Sequence, residues 1–333
     1  MKAVQLKEYV KDPSGLKVSS IADPVPGPGD LLIDIHAAAT NFFDTLQIQG
    51  KYQTQPPFPW VAGAEFAGVV EKAPEGSAWS VGDKVFGAGQ GSFAEKIVVK
   101  DTPGAVLPMP DGWSFVDACG LYVTAPTSYL ALVNRAQLKK GETCLVHAAA
   151  GGVGLAAVQI AKALGAIVIA TAGSADKLQV AKDFGADHCV NYTDKDYLDQ
   201  IKKITKGKGC DVIYDPVGKI QESFKVVAWN GRILVIGFAG GKIEKVAMNL
   251  ALLKQASIVG VFWGGNAIRR PNEAAGVWQG LMEMMSNGQL RPTVFSKVYD
   301  GLDGVAPALN ALASRGTWGK VVINMKKDAS SKL

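Results

Sequence analysis

The chain has 333 residues, of which 48% are hydrophobic and 20% are charged. This length and composition exclude a disordered chain and favour two domains with large buried cores. The 35 Lys and Arg residues against 30 Asp and Glu residues give a formal charge of +5. Such a mild excess does not indicate nucleic-acid binding, so nucleic acid is not an expected partner.

The first part of the chain has the pattern of β-structure. Short alternating apolar runs such as residues 31–35 are separated by proline and glycine, as in residues 24–29. Proline and glycine interrupt strands and form turns. We therefore expect a twisted, barrel-like β domain here.

From about Thr124, strand-length apolar runs alternate with helical patterns. This alternation is typical of βαβ units around a parallel sheet. Residues 144–161 carry no formal charge with His147 neutral, and they would be long enough for a membrane span, but their glycine cluster favours a buried strand, turn and helix. We predict no membrane span. The predicted strands are residues 143–147, 167–171, 212–214, 233–236 and 258–262.

The alternation of strands and helices fades after Phe262. The remaining chain predicts a helix over residues 278–286, another over 305–314 and a last strand over 320–323. We therefore expect the chain to leave a first domain, build a nucleotide-binding domain and return. The predicted domains are residues 1–123 with 263–333, and residues 124–262.

A glycine-rich turn follows the first strand of the predicted nucleotide domain. Residues 146–155 read Val-His-Ala-Ala-Ala-Gly-Gly-Val-Gly-Leu and open a helix. Small residues let the backbone approach a pyrophosphate, and the helix N-terminus offers unpaired N–H groups. Ala149 stands where the usual fingerprint has its first glycine, and a tight turn without ligand is the alternative. The predicted cofactor contacts are Ala150, Gly151, Gly152, Val153 and Gly154.

The second strand of the nucleotide domain predicts the type of cofactor. NAD-binding units usually carry an acidic residue at this strand end, which binds the adenine ribose. Residues 171–174 carry no carboxylate, and Gly173, Ser174 and Lys177 lie where a 2′-phosphate would be accepted. The alternative is that Lys177 is only a surface helix residue. We predict NADPH as the cofactor.

Segments spread over the whole chain match a known family in their order and spacing. They are Asn41-Phe42-Phe43-Asp44, Gly50-Lys51-Tyr52, Gly63-Ala64-Glu65, Gly82-Asp83-Lys84-Val85, Ala149 to Gly154, Asp211 to Asp215, Gly231-Arg232 and Gly319 to Val322. Together they resemble the zeta-crystallin-like quinone oxidoreductases of the medium-chain dehydrogenase/reductase superfamily. The resemblance implies an α/β protein with a GroES-like β-barrel catalytic domain and a doubly wound parallel-sheet (Rossmann) nucleotide-binding domain.

The resemblance also bears on metal binding. The zinc alcohol dehydrogenases of the same superfamily hold their catalytic metal through a cysteine, a histidine and a further soft ligand. Asn41 stands where the cysteine would be and Ala64 where the histidine would be, and Glu65 alone cannot hold zinc. The four cysteines, which form no Cys-x-x-Cys pair, also argue against a clustered zinc site. We expect no metal.

Site residues follow from the resemblance as well. It implies that Asn41 and Tyr52 line the cleft beside the nicotinamide, with Tyr52 able to donate a proton to the product oxygen. It places Tyr192 near the adenosine phosphate together with Lys177. It also places Phe238 near the nicotinamide, and Arg315 is a further candidate for cofactor contact.

Three functions remain open at this stage. The first is NADPH-dependent reduction of a quinone by hydride transfer without zinc. The second is reduction of a 2-enoyl thioester or another enone, which would use the same cofactor and the same tyrosine motif. The third is a non-catalytic role as an RNA-binding or crystallin-like protein, which no basic or aromatic cluster supports.

Two further expectations concern location and assembly. Ser331-Lys332-Leu333 matches the peroxisomal import signal, which an import receptor would bind, so we expect a peroxisomal protein, with the cytoplasm as the alternative. The resemblance implies a homodimer joined through sheet edges, with residues 258–262 as the edge strand.

Overall fold

The structure is a computed structural model, and it describes residues 1–326. The predicted import signal, Ser331-Lys332-Leu333, lies outside the described residues and stays a prediction. The chain divides into two compact units. One consists of Met1–Val123 with Pro292–Leu333, and the other of Thr124–Arg291.

Residues 1–326 contain sixteen strands. In chain order they are β1 (Lys2–Leu6), β2 (Val18–Ser20), β3 (Asp30–Ala39), β4 (Trp60–Val61), β5 (Glu65–Lys72), β6 (Lys84–Ala88), β7 (Lys96–Lys100), β8 (Val106–Pro108), β9 (Thr143–Val146), β10 (Ile167–Ala172), β11 (His188–Asn191), β12 (Cys210–Asp215), β13 (Val227–Val235), β14 (Ser257–Gly260), β15 (Tyr299–Asp300) and β16 (Val322–Asn324).

Eleven α-helices lie in the same described part of the chain. They are α1 (Phe42–Gln47), α2 (Phe115–Ala118), α3 (Leu121–Tyr129), α4 (Gly152–Ala163), α5 (Ala175–Asp183), α6 (Tyr197–Ile204), α7 (Ile220–Ser223), α8 (Asn249–Lys254), α9 (Trp263–Arg269), α10 (Pro271–Ser286) and α11 (Val305–Ala313). A π-helix spans Leu130–Arg135, and 3-10 turns span Pro13–Gly15 and Leu302–Gly304.

The first unit is built on a seven-stranded sheet. Its order is β15-β16-β3-β5-β6-β8, with β7 also paired to β3. Along β3 the fully buried Leu31, Ile33 and Ile35 belong to a core that also contains Phe66 and Val85. This core fixes β3, and the end of β3 leads directly into the segment that carries Asn41. A smaller sheet has the order β2-β1-β4.

The second unit contains the predicted doubly wound sheet. Its six strands are all parallel, in the order β11-β10-β9-β12-β13-β14. Apolar residues such as Leu145, Ile169 and Ile213 are fully buried because helices cover both faces of such a sheet. The strand order reverses between β9 and β12, and ligands of this fold bind at the carboxyl ends of the strands at that point.

The return of the chain to the first unit lies later than predicted. The sequence placed it at residue 263, but the second unit extends to Arg291. The reason is contact between the later chain and the second unit: the Asn134 amide donates to Glu273 on α10 (3.3 Å), and the Arg291 backbone N–H donates to the Gln159 side chain (2.9 Å). The predicted boundary at residue 263 is therefore wrong, because the chain after β14 still packs in the second unit.

The predicted strands of the nucleotide domain all form. Four differ by one or two residues at their ends, whereas β13 begins at Val227, six residues before its predicted start. β11 was not predicted, because it is short and Val190 is its only aliphatic residue. The uncharged segment 144–161 forms the end of β9, a turn and most of α4. Within residues 1–326, no helix combines the length and apolarity needed to cross a bilayer.

Candidate active site

The candidate site of the first unit begins where β3 ends and α1 starts. Asn41 is the N-cap residue of α1. Its backbone N–H donates to the Asp44 carboxylate (2.6 Å), which places an acidic residue in the first turn, where the helix dipole favours negative charge. The Asp44 N–H donates to the Asn41 backbone carbonyl oxygen (3.1 Å), so the Asn41 side chain is left to bond other partners.

Those partners are a buried cation and a buried anion. The Lys320 ammonium donates to the Asn41 side-chain oxygen (2.7 Å), to the Glu65 carboxylate (2.7 Å) and to the Thr40 carbonyl oxygen (2.9 Å). The Asn41 amide nitrogen donates to the same Glu65 oxygen (2.7 Å). The other Glu65 oxygen accepts from the Val123 N–H (2.6 Å). We call Asn41, Glu65 and Lys320 the buried polar cluster.

The buried polar cluster is almost closed to solvent. Glu65 is fully buried, and Lys320 and Asn41 are 4% and 6% exposed. The Lys320 stem packs on Gly120, where an added Cβ would lie 2.9 Å from the lysine Cβ. Burying two charges is costly unless they are paired and fully hydrogen-bonded, and here each charge meets that condition.

Asp44 behaves differently from Glu65. One of its oxygens accepts from Asn41, whereas Oδ1 is buried without a partner among the described residues. Burial raises the pKa of Asp44 to about 7, and the nearby Glu65 carboxylate adds to this, against the opposing effects of the Asn41 N–H and Lys320. Asp44 is therefore close to half protonated at neutral pH.

Tyr52 lies close to this carboxyl group. Its ring stacks on Phe43, with 5.3 Å between centroids and 25° between planes. Burial raises the pKa of the Tyr52 phenol, and the negative charge of Asp44 raises it further. The phenol is therefore neutral near pH 7 and can donate a hydrogen bond or a proton. The two residues that the resemblance implied as catalytic, Asn41 and Tyr52, thus lie at the two ends of one short segment around α1.

The residues at the zinc positions are poor metal ligands. Ala64 has no ligating atom, and the Asn41 oxygen already accepts from Lys320. Among residues 1–326, no three His, Cys, Asp or Glu side chains form a group able to hold a metal ion.

The candidate cofactor site of the second unit is the predicted glycine-rich turn. Ala148 has a left-handed backbone (φ 47°), and Gly151 is the N-cap of α4. No side chain in the described part of the chain caps this helix, so its first N–H groups are left for a ligand. Gly154 packs against the turn, because a Cβ there would lie 2.5 Å from the Ala148 carbonyl oxygen. These features fit a dinucleotide pyrophosphate.

The structure brings the predicted adenosine-side residues together. β10 ends at Ala172, and Ser174 caps α5 by accepting from the Lys177 N–H (3.5 Å). Tyr192 lies against Gly173, where an added Cβ would be 2.6 Å from the phenol oxygen. No carboxylate stands at the end of β10. This arrangement fits a 2′-phosphate better than a ribose 2′-hydroxyl.

Phe238 lies near the loop after β12. Its ring would be 3.1 Å from a Cβ added to Gly218. The fully buried Asp215 shapes this loop by accepting from the N–H groups of Val217 (2.8 Å), Gly218 (3.0 Å) and Lys219. The sequence analysis quoted Asp215 only as part of a motif, although an acid at the end of an apolar strand is a signal for such a loop.

Arg315 belongs to the first unit, just after α11, with a left-handed backbone (φ 58°). It is not in the unit that carries the cofactor turn, and its role stays a prediction. The sequence analysis also missed the roles of Asp44 and Lys320. The capping-box spacing from Asn41 to Asp44 would have identified the first of these, whereas no local pattern points to Lys320.

The doubly wound sheet with its glycine-rich turn in the second unit, and the buried polar cluster in the first unit, indicate an oxidoreductase. Two family models match the chain. The alcohol dehydrogenase GroES-like domain matches residues 27–111, and the zinc-binding dehydrogenase model matches residues 152–286.

Comparison with similar proteins identifies the family within this class of oxidoreductases. A quinone oxidoreductase-like protein 2 homolog from Nematostella vectensis is 36% identical over 306 residues, covering 90% of this chain and 83% of the relative. A quinone oxidoreductase from Escherichia coli, solved in complex with NADPH, is 28% identical with a TM-score of 0.87, covering 97% and 100% of the two chains. CurK enoyl reductase is 27% identical with a TM-score of 0.86, covering 98% and 99%. The chain belongs to the quinone oxidoreductase-like proteins of the medium-chain dehydrogenase/reductase superfamily.

Proposed function

We propose that this oxidoreductase reduces quinones with NADPH by hydride transfer, without zinc. The observation that carries the proposal is the state of Asn41. An amide stands at the position of the zinc-binding cysteine, and Glu65 and Lys320 hold it from both sides through hydrogen bonds. Such a site offers a hydrogen-bond donor in place of a Lewis acid.

The presence of an amide in place of a metal-binding cysteine limits the kind of acceptor that can be reduced. Without a Lewis acid, hydride is best delivered to an electrophile that needs little activation, and quinones are of this kind. The stacked rings of Phe43 and Tyr52 offer a flat aromatic surface that suits a planar acceptor. The neutral Tyr52 phenol supplies the proton that the reduced oxygen needs.

NADPH is the proposed hydride donor. When bound, the dinucleotide supplies the hydride from its nicotinamide ring. The main-chain N–H groups at the start of α4 would hold the pyrophosphate, and Ser174, Lys177 and Tyr192 would hold the adenosine 2′-phosphate. Support comes from the absence of an acid at the end of β10 and from the NADPH complex of the Escherichia coli neighbour.

Reduction of a 2-enoyl thioester is the second candidate. The similarity to CurK enoyl reductase favours it, and an enone accepts hydride with the same geometry of cofactor and proton donor. A thioester also needs a groove for its long pantetheine arm.

The test follows NADPH absorbance with purified protein and a metal chelator. An ortho-quinone, a para-quinone and a 2-enoyl-CoA are compared, each with NADPH and with NADH. Fast quinone-dependent oxidation of NADPH supports the proposal. Faster reduction of the enoyl-CoA supports the second candidate function. Inhibition by the chelator contradicts the zinc-free mechanism. The absence of a reaction with every acceptor favours a non-catalytic role.

We also propose that the protein is a homodimer joined through β14. This strand lies at the edge of the six-stranded sheet, and large apolar side chains nearby are exposed, including Phe262 (70%) and Leu253 (65%). Exposed apolar patches beside an unpaired strand edge favour association. Light scattering after gel filtration tests this, with Val259→Pro expected to give a monomer because proline blocks ladder pairing.

A further inference from the structure

The Asn41 side chain is held between partners of opposite hydrogen-bonding character. A lysine ammonium can only donate, and an ionised carboxylate can only accept. The amide oxygen must therefore face Lys320 and the amide nitrogen must face Glu65, as both distances of 2.7 Å record. In the reversed orientation, the amide nitrogen would face the Lys320 ammonium, so that two donors meet. The amide oxygen would face the Glu65 carboxylate, so that two acceptors meet.

One hydrogen of this amide is left over. The amide nitrogen carries two N–H bonds, and only the one to Glu65 is used among residues 1–326. Asn41 is only 6% exposed, and buried donors almost always have partners. The second N–H is therefore available to a ligand that enters this part of the unit.

We propose that Glu65 and Lys320 are positioning residues, which lock the Asn41 amide so that its second N–H donates to the carbonyl oxygen of the acceptor. The inference rests on the proposed function and names the residues that prepare its site. Asn41 contacts the reacting oxygen, whereas Glu65 and Lys320 act through Asn41.

The chemical role of the locked amide follows from the charge that develops. The acceptor gains a hydride with its electron pair from NADPH, so its carbonyl oxygen becomes negative. A proton from the Tyr52 phenol then neutralises that oxygen, and solvent returns a proton to Tyr52. A fixed N–H aimed at this oxygen stabilises the charge without reorganisation, and the loss of one such donor typically costs about 10²-fold to 10³-fold in rate.

The ion pair itself supports a positioning role. Buried ion pairs are often no better for stability than apolar residues of the same volume. Glu65 and Lys320 are both buried, and both contact Asn41. A role in orienting the Asn41 amide explains why both charged residues lie in this buried position.

The first test weakens the hydrogen bonding that orients Asn41 and keeps the volume of the side chain at position 65. In Glu65→Gln, the new side chain can donate as well as accept and carries no charge, so Lys320 alone still selects the orientation of Asn41 and the amide nitrogen is held more weakly. We expect kcat/KM for a quinone to fall about tenfold, while the Kd for NADPH, measured by fluorescence titration, stays within about twofold. The loss should be greater for a quinone of low reduction potential than for one of high potential, because the weaker electrophile depends more on the donor.

A double-mutant cycle separates positioning from general structural damage. Asn41→Ala and Lys320→Met are measured singly and together. If Lys320 acts through Asn41, Lys320→Met lowers kcat/KM in the wild type but has no further effect in the Asn41→Ala background. Thermal melts check folding, and a Glu65→Gln/Lys320→Met variant, whose cluster is uncharged, replaces any single variant that does not fold. Glu142→Gln, which removes an ion-pair carboxylate in the second unit, is the matched control and should leave kcat/KM unchanged.

A spectroscopic measurement is independent of turnover. The two side-chain N–H resonances of Asn41 are identified by their loss in Asn41→Ala. Titration with 1,4-naphthoquinone in the absence of NADPH should shift one of them in the wild type and broaden both in Glu65→Gln.

The outcomes distinguish the two proposals. If the wild type reduces no quinone but the resonances behave as described, the proposed function fails and the locked amide remains. The positioning role is overturned if Glu65→Gln affects both quinones equally, if Lys320→Met adds its full effect to Asn41→Ala, or if neither resonance responds to the quinone.

Discussion

The candidate site of the first unit is made of charged and amide side chains, whereas the candidate cofactor site of the second unit is made of main-chain N–H groups. Glu65, Lys320 and Asn41 are buried and bonded to one another. The turn from Ala148 to Gly154 consists of small residues, and no described side chain caps α4. Both parts prepare hydrogen-bond donors, one by side-chain chemistry and the other by backbone conformation.

Because of this difference, the two sites should lose function in response to different kinds of change. A cluster of buried ionisable groups is sensitive to pH and to isosteric changes of charge, because each group depends on its partner. A main-chain site is insensitive to charge but sensitive to any atom that fills the space beside the backbone. Substitutions chosen on this basis should separate the two parts.

The largest effect that we predict is a pH dependence of stability due to Asp44. Burial raises its pKa from 3.8 to about 7, so the folded chain holds a proton that the unfolded chain releases in this range. The unfolded state therefore binds fewer protons, and stability falls as pH rises through the window. Between pH 5 and pH 8 the free energy of unfolding should drop by about 3 kcal/mol through this group.

Urea unfolding at several pH values checks this prediction. Asp44→Asn keeps an oxygen for the Asn41 N–H and removes the titration, so its stability should vary much less over the same range. Asp111→Asn, at an exposed position, is the control and should follow the wild type. Parallel curves for the wild type and Asp44→Asn would contradict the raised pKa.

A pair of glycine substitutions tests the main-chain part. In Gly154→Ala the new Cβ would lie 2.5 Å from the Ala148 carbonyl oxygen, so the turn must shift, at a cost of about 2 kcal/mol in unfolding free energy. In Gly151→Ala the nearest contact is 3.4 Å, to the same oxygen. We expect Gly151→Ala to keep its stability but to weaken NADPH binding, because the methyl group occupies the approach of the pyrophosphate. Thermal melts and NADPH titrations of both variants distinguish the two effects, and equal stability of the two variants would show that the turn tolerates the Cβ.

The charge at the adenosine end should set cofactor preference. Lys177→Ala should raise KM for NADPH about tenfold and leave KM for NADH unchanged, since only the 2′-phosphate is lost as a partner. Lys182→Ala, on the same helix α5 and exposed, is the matched control. Steady-state kinetics with both cofactors give the ratio of KM for NADPH to KM for NADH. If this ratio is unchanged in Lys177→Ala, Lys177 does not determine the cofactor preference.

Much of this molecule could be predicted from local pattern. The parallel strands were predictable because contiguous apolar residues such as Leu145 and Ile213 mark buried strands, and the glycine-rich turn followed from its position after the first of them. The buried polar cluster could be predicted only in part. Lys320 reaches Glu65 across 255 positions of the chain, and only tertiary packing creates that contact. The late return at Arg291 likewise depends on α10 packing, which helical periodicity alone does not assign to a unit.

The smallest effect concerns an ion pair outside both parts of the site. Arg232 binds the Glu142 carboxylate with two hydrogen bonds (2.9 and 2.6 Å). Burial opposes ionisation of Glu142, but the hydrogen bonds from Arg232 prevail and hold its pKa below the usual value. A lowered acid pKa stabilises the fold at neutral pH, and this contribution disappears as pH falls through that pKa. Because the pair is partly exposed, Glu142→Gln should cost only about 1 kcal/mol in urea unfolding at pH 7 and nothing at low pH. A loss of kcat in this variant would mean that a side-chain charge in the second unit also affects the chemistry, which would remove the contrast between the side-chain site of the first unit and the main-chain site of the second.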